Sequence, residues 1–215
     1  MTNGVVFVID DDPSVRRSVS RLLRSHDRYV QTYQSAQDFL GLELPSIPAC
    51  IVLDLQMPDV SGLDLQRLLS GNRDTLPIVF ISGHGNIVAS VTAMKEGAVD
   101  FLTKPFDDNQ LMAAIDTALN RAQQAHVRRS ALDRDRVAFD SLTQRERQVC
   151  LRVADGMLNK QIGCELGTSE KTIKAQRGQV MQKLGAQSVA DLVRLVERLR
   201  VSGHFERAEP TLVEN

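Results

Sequence analysis

The chain has 215 residues, 42% of them hydrophobic and 25% charged, an ordinary composition for a soluble globular protein with room for two small cores. The net charge of −1 conceals a division: residues 1–120 carry 9 basic against 15 acidic side chains, a balance of −6, and residues 121–215 carry 17 against 12, a balance of +5. Three cysteines without paired or metal-ligand spacing exclude a disulfide framework, and no segment approaches the ~18 apolar residues of a membrane span, so the chain reads as soluble and cytoplasmic with no membrane partner.

Val5-Val6-Phe7-Val8-Ile9 is a continuous apolar run, the pattern of a strand buried on both faces. Asp12-Pro13 then supplies an N-cap acid and a proline at the first helical position, and the following helix places Val15, Val19, Leu22 and Leu23 on one face. Tyr29 to Tyr33 is a weaker second strand, followed by a short helix around Ala36 to Leu40. Cys50 to Leu53 is the third strand. Ser61-Gly62-Leu63-Asp64 is a capping-box signature that opens a helix with Leu65, Leu68 and Leu69. Ile78 to Ile81 is the fourth strand, and Asn86 can cap a helix carrying Val88, Val91 and Met94. Val99 to Leu102 is a short fifth strand, and Asp107 or Asp108 starts a helix with Leu111, Ile115 and Leu119.

This alternation predicts a doubly wound α/β fold with a parallel sheet, whose ligands bind beyond the carboxyl ends of the strands. Asp10-Asp11-Asp12, Asp54, Ser82-Gly83 and Lys104-Pro105 all follow strands and fall on that edge. Crowded carboxylates call for a cation, and Mg²⁺ (or Mn²⁺) suits few carboxylates, several waters and a phosphate oxygen. Asp11 and Asp54 are read as direct ligands, Asp10 as a ligand directly or through water, and Gln56 as a donor of its backbone carbonyl. Asp54 is the candidate nucleophile for an acyl phosphate. Lys104 can reach the phosphoryl oxygens as a compact cation, Ser82 can hydrogen-bond the same group, and Gly83 leaves room for it. A cis bond before Pro105 would help turn Lys104 inward. A phosphatase acting on free substrates is the enzymatic rival, but Gln56 stands where such enzymes place a second acid. No enzymatic role is therefore expected beyond phosphorylation of Asp54 and slow loss of that group to water.

Asp10-Asp11, Asp54 within Leu53-Asp54-Leu55-Gln56-Met57-Pro58, Ser82, Phe101 and Lys104-Pro105-Phe106 resemble the receiver domain of two-component response regulators. Gly83-His84-Gly85-Asn86 looks like the FixJ branch, with His84 read as a surface-loop residue. The resemblance implies a flavodoxin-like five-stranded sheet of order 2-1-3-4-5 and phosphorylation of Asp54 by a sensor histidine kinase. It also implies that Ser82 and Phe101 form a switch pair, with Phe101 lacking the hydroxyl of the tyrosine often found there. Homodimerisation on phosphorylation would use the fourth helix, fifth strand and fifth helix, around Val91, Lys95, Asp100 and Leu111.

Beyond Arg121 the chain is helix-compatible and Arg-rich, with Ala122, Ala125, Val127, Ala131 and Leu132 as its main apolar content. It reads as a semi-rigid spacer with an exposed, mobile break near Ala138 to Ser141. Thr143-Gln144-Arg145-Glu146 is a second capping box, and Gly156 ends its helix. Asn159 caps a short helix, Gly167 makes a turn, and Thr168 or Ser169 opens a helix from Glu170 to Leu184. Ser188-Val189-Ala190-Asp191 caps a fourth helix. A short helix, a glycine turn and a basic helix form a helix-turn-helix signal. In the third helix Ile173, Val180, Met181 and Leu184 make the core side. Lys171, Lys174, Ala175 and Gly178 recur on another side, where small residues beside lysines allow a close approach to a DNA groove.

Leu142-Thr143-Gln144-Arg145-Glu146, Asn159-Lys160-Gln161-Ile162, Thr172-Ile173-Lys174 and Met181-Gln182-Lys183-Leu184 are similar to the LuxR-type helix-turn-helix domain, an all-α four-helix unit. The resemblance implies base-facing positions at Lys174, Ala175 and Gly178 and phosphate contacts from Lys160, Lys171, Thr172 and Arg177. Gln176 stands where a histidine is common and belongs to the same DNA-contacting set. The expected organisation is a receiver over residues 1–121, a helical linker over 122–140, a DNA-binding domain over 141–200 and a flexible tail over 201–215. The expected partners are the kinase, promoter double-stranded DNA and RNA polymerase.

Overall fold

The structure, a computed structural model, describes residues 4–70, 76–83 and 87–205. His84 and the expected cap Asn86 lie outside them. Two compact units divide between Val127 and Arg128.

In the first unit the strands are β1 (Val5–Ile9), β2 (Tyr29–Tyr33), β3 (Ala49–Asp54), β4 (Ile78–Ser82) and β5 (Asp100–Thr103). They form a parallel sheet in the order β2-β1-β3-β4-β5. The helices are α1 (Pro13–Ser25), α2 (Ala36–Leu40), α3 (Gly62–Ser70), α4 (Ile87–Lys95) and the start of α5 (Asp108–Asp140). Because strand side chains alternate, the buried runs serve two cores. Val6, Val8, Cys50, Val52, Val79 and Ile81 pack with α1 and α5 on one face. Val5, Phe7, Ile9, Ile51, Leu53, Ile78 and Phe80 pack with α2, α3 and α4 on the other.

Leu111, Leu68 and the larger apolar side chains of α4 bear on the expected faces. Leu111 is 0% exposed in the core beneath α5, so it is not a surface contact for a second copy. Leu68 is exposed, whereas Leu65 is buried. In α4 the inward positions go to Ala89 and Ala93, leaving Val88, Val91 and Met94 turned outward.

The second unit contains the end of α5, then α6 (Gln144–Ala154), α7 (Asn159–Glu165), α8 (Glu170–Lys183) and α9 (Val189–Val201). Thr143 accepts from the Glu146 amide and donates its own amide to the Glu146 carboxylate, closing the expected capping box. At α7 the cap position falls to Leu158, whose N–H is taken by Gln161, so Asn159 is the first helical residue and not the cap. The expected exposed break at 138–141 is not found. Phe139 and Leu142 are buried in the second core, and Arg147 donates to the carbonyls of Asp140 and Leu142. Nor is the segment after α9 loose up to Phe205, which stacks on Phe139 with ring centroids 4.8 Å apart. One buried aromatic explains both differences: it makes residue 139 a core position and provides the last described residue with a docking face. Residues 206–215 lie outside the described chain.

Candidate functional site

The strand ends deliver one cluster. Asp10 follows β1, Asp54 ends β3, Ser82 ends β4 and Lys104 follows β5. Lys104 Nζ donates to Asp10 Oδ2 at 2.7 Å and to Asp54 Oδ1 at 2.7 Å. Asp10, Asp54 and Ser82 are buried. The Lys104 amide donates to the Ser82 carbonyl at 2.7 Å, extending the β4–β5 ladder to the lysine, and the Lys104–Pro105 bond is cis. Asp54 Oδ2 accepts the Gln56 amide at 2.8 Å, and Asp10 Oδ1 accepts that of Asp12 at 2.8 Å.

The electrostatics follow from burial. Desolvation pushes the Asp54 carboxyl above its usual range; the hydrogen bond and charge of Lys104 pull it back, and Asp10 pushes it up again. For Lys104, burial pulls downward, but hydrogen bonds and charge from Asp10 and Asp54 together outweigh it, so the ammonium is held above its ordinary value. The lysine thus stays cationic between two carboxylates.

Asp11 and Asp12 are exposed at the rim. Asp12 caps α1, accepting the Ser14 amide and hydroxyl, each at 2.7 Å. Among the described residues no three His, Cys, Asp or Glu side chains converge on one point; the carboxylates are arranged around the lysine. A Cβ on Gly83 would meet open space among those residues, so no crowding demands glycine there. Phe101 is half-buried and stacks on Phe80, with ring centroids 6.1 Å apart and planes 30° apart.

In the second unit Gly167 has φ +64°, and Gly163 of α7 lies so close to the turn that a Cβ would sit 2.8 Å from the Thr168 carbonyl oxygen. These two glycines bring α7 and α8 together as a helix-turn-helix. Ser169 caps α8 by accepting the Thr172 amide at 3.1 Å. Ile173 and Val180 are buried, whereas Lys171, Thr172, Lys174, Ala175 and Gly178 are exposed, as is Lys160 on α7. Gln176 and Arg177 are half-buried. The Arg177 guanidinium donates to Asn159 Oδ1 at 3.2 Å, and the Gln176 amide oxygen is buried.

Two family descriptions match: "Response regulator receiver domain" over residues 6–116 and "Bacterial regulatory proteins, luxR family" over residues 140–196. The chain is 42% identical over 209 residues to "Nodulation protein W" of Bradyrhizobium diazoefficiens, covering 97% of this chain and 92% of that protein. It is 43% identical to "Response regulator protein TmoT" of Ectopseudomonas mendocina over 93% of this chain and 90% of that one. Among solved structures, the response regulator StyR superposes with a TM-score of 0.81 at 44% identity, over 91% of this chain and 99% of its own. Full-length FixJ from B. japonicum gives 0.54 at 38%, over 94% and 99%. The chain belongs to the two-component response regulators.

The regulator therefore joins a receiver domain to a LuxR-type DNA-binding domain and acts as a DNA-binding transcription regulator with a sensor kinase as its partner. Among its described residues no helix is long and apolar enough to cross a membrane. Two contributors to the receiver pocket carry no sequence signal as single residues. Arg16 donates from its guanidinium to the Asp10 carbonyl at 2.5 Å. Gly62 sits where a Cβ would lie 2.4 Å from the Asp54 carbonyl oxygen. In the DNA-binding domain, Glu146 is legible from sequence only as a cap, yet its carboxylate also takes Lys183 Nζ at 2.7 Å and ties α6 to the end of α8.

Proposed function

We propose that phosphorylation of Asp54 switches this regulator. The observation that carries the reading is the Lys104 ammonium, bonded to Asp10 and Asp54 where strand ends meet. A carboxylate oxygen of Asp54 attacks the phosphorus of the kinase's phosphohistidine; the P–O bond forms as the P–N bond breaks, and the imidazole leaves with the electron pair. Lys104 meets the negative charge on the phosphoryl oxygens, and the Ser82 hydroxyl donates to the same group. Gly83 and Pro105 flank these two residues.

The donor set fits Mg²⁺ or Mn²⁺. Its atoms are hard oxygens, and two buried carboxylates, Asp10 and Asp54, share the single ammonium of Lys104. Asp10, Asp11, Asp54 and the backbone carbonyl of Gln56 would hold the ion. When bound, it supplies neutralisation of charge on the phosphoryl oxygens. Slow hydrolysis of the acyl phosphate resets the switch.

Movement of Ser82 toward the phosphoryl group, with Phe101 turning inward behind it, shifts the receiver toward an active population. That population dimerises through the outward side of α4 and β5, with Val91, Lys95 and Asp100 as contacts and Leu111 as support from within. The dimer places two copies of α8 on a pair of promoter half-sites. Lys174, Ala175, Gln176 and Gly178 face bases, while Lys160, Lys171 and Thr172 meet phosphates. Arg177 joins them through the α7–α8 junction it ties, and the bound dimer acts on RNA polymerase. Gel shift of a promoter fragment, with and without acetyl phosphate, tests the reading. Wild type gains affinity and sediments as a dimer with the phosphodonor, and Asp54→Asn does neither; equal binding by both proteins under both conditions contradicts it.

A further inference from the structure

We propose that Arg16 is the positioning residue of the acidic loop between β1 and α1, and that it sets the loop's affinity for a divalent cation. This rests on the pocket reading above and goes beyond it, because Arg16 is assigned no part in the phosphoryl transfer itself.

The argument begins with the carbonyl of Asp10, one residue past the last paired position of β1. Arg16, in the first turns of α1, folds its guanidinium back to that oxygen at 2.5 Å, while its own amide donates to the Asp12 carbonyl at 3.1 Å. Asp10 is then held at every polar atom. Its amide reaches the Tyr33 carbonyl at 3.3 Å, its Oδ1 takes the Asp12 amide at 2.8 Å and its Oδ2 takes Lys104 at 2.7 Å. Asp12 is fixed in turn by its cap bonds to Ser14. Asp11 stands between two pinned neighbours with its side chain exposed. The Arg16 side chain thus ties the start of the loop to the helix turn whose backbone already holds the loop's end, and the loop presents Asp11 beside the buried Asp10. Groups that orient metal ligands from behind are worth about 10- to 100-fold in affinity.

Electrostatics and positioning predict opposite signs here. A guanidinium close to a cation site repels the cation, so deleting it should tighten binding if charge alone mattered. If the strap matters more, deletion weakens binding.

Full-length wild type, Arg16→Ala and Arg16→Lys are titrated calorimetrically with Mn²⁺, and their urea midpoints are followed by tyrosine fluorescence. Arg16→Ala is expected to bind Mn²⁺ about tenfold more weakly. Arg16→Lys, which keeps the charge and one donor, recovers part of the loss, and phosphorylation by acetyl phosphate at saturating Mn²⁺ returns toward the wild-type rate in both. Mn²⁺ affinity that is unchanged or tighter in Arg16→Ala overturns the proposal. Should Arg16→Ala fail to fold, Arg16→Lys decides: affinity weaker than wild type with an unchanged urea midpoint supports the strap, and equal affinity overturns it. Failure of the underlying pocket reading looks different, because wild type itself would then bind no Mn²⁺, or Asp54→Asn would leave binding intact; either result overturns both.

Discussion

Replacing Gly62 with alanine strikes the junction between the sheet and the phosphoacceptor. The Gly62 amide donates to the Leu55 carbonyl at 3.0 Å, seating the start of α3 on the end of β3. An added Cβ would lie 2.4 Å from the Asp54 carbonyl oxygen, 2.9 Å from Phe80 Cε1 and 3.1 Å from Leu55 Cα. Two of these neighbours are backbone, and the third is a fully buried ring, so no flexible side chain can absorb the methyl. Restoring an ordinary contact of about 3.4 Å requires the helix start and the strand end to separate by about 1 Å. Overpacking of this kind costs about 2–3 kcal/mol. A shift of the acceptor by about 1 Å also slows phosphorylation by roughly 10²-fold. The chain contains no tryptophan, and its two tyrosines, Tyr29 and Tyr33, both lie in β2. Tyrosine fluorescence in urea therefore reports the receiver transition without interference from the DNA-binding unit. A receiver stability within about 0.5 kcal/mol of wild type, together with an unchanged rate of labelling by acetyl phosphate, would refute the steric argument.

Other perturbations give distinct signs. Asp54→Asn should stabilise the receiver near neutral pH. Burial raises the folded-state pKa of Asp54 above 3.8, so its charged form disfavours folding. That gain shrinks as pH falls through the raised pKa, because wild type then takes up the proton; urea midpoints showing no gain, or a gain that grows in acid, contradict the assignment. Phe139→Ala removes a ring only 4% exposed and the stacking face of Phe205, and should cost the second unit about 3 kcal/mol, seen as earlier loss of far-ultraviolet helix signal with the tyrosine transition unmoved. A cost under about 1 kcal/mol would show that the ring is not a core element. Gly178→Ala, in the exposed interior of α8 with open space around the new methyl, should stabilise that unit by about 0.8 kcal/mol. The same variant should weaken the promoter gel shift if the helix needs a bare backbone at the groove, and undiminished binding argues against Gly178 as a contact.

The receiver was legible because its strands are uninterrupted apolar runs and parallel topology sends every strand end to one edge. Asp10, Asp54 and Lys104 are scattered over 95 positions, yet that rule alone predicts their meeting, and Lys104 reaches both carboxylates. What sequence did not reveal depends on three-dimensional approach. Arg16 is used through a backbone carbonyl, which every residue possesses, so no motif marks it. Gly62 looks like part of a helix cap, and its real constraint comes from a strand eight positions earlier. Periodicity could not decide which side of α4 faces inward, because small alanines take the core and larger side chains point out. At Leu111 the same ambiguity ran the other way, and the residue is core, not contact. The expected break at 138–141 overlooked a single phenylalanine, whose burial outweighs the polar run around it.

The most direct test of the phosphoacceptor claim is intact-mass spectrometry of wild type and Asp54→Asn after incubation with acetyl phosphate and Mg²⁺, followed by peptide mapping. Wild type should gain one acid-stable, base-labile phosphoryl group on the peptide containing Asp54, and the variant none. Equal incorporation into both proteins, or a phosphoryl group mapped elsewhere, would contradict the account.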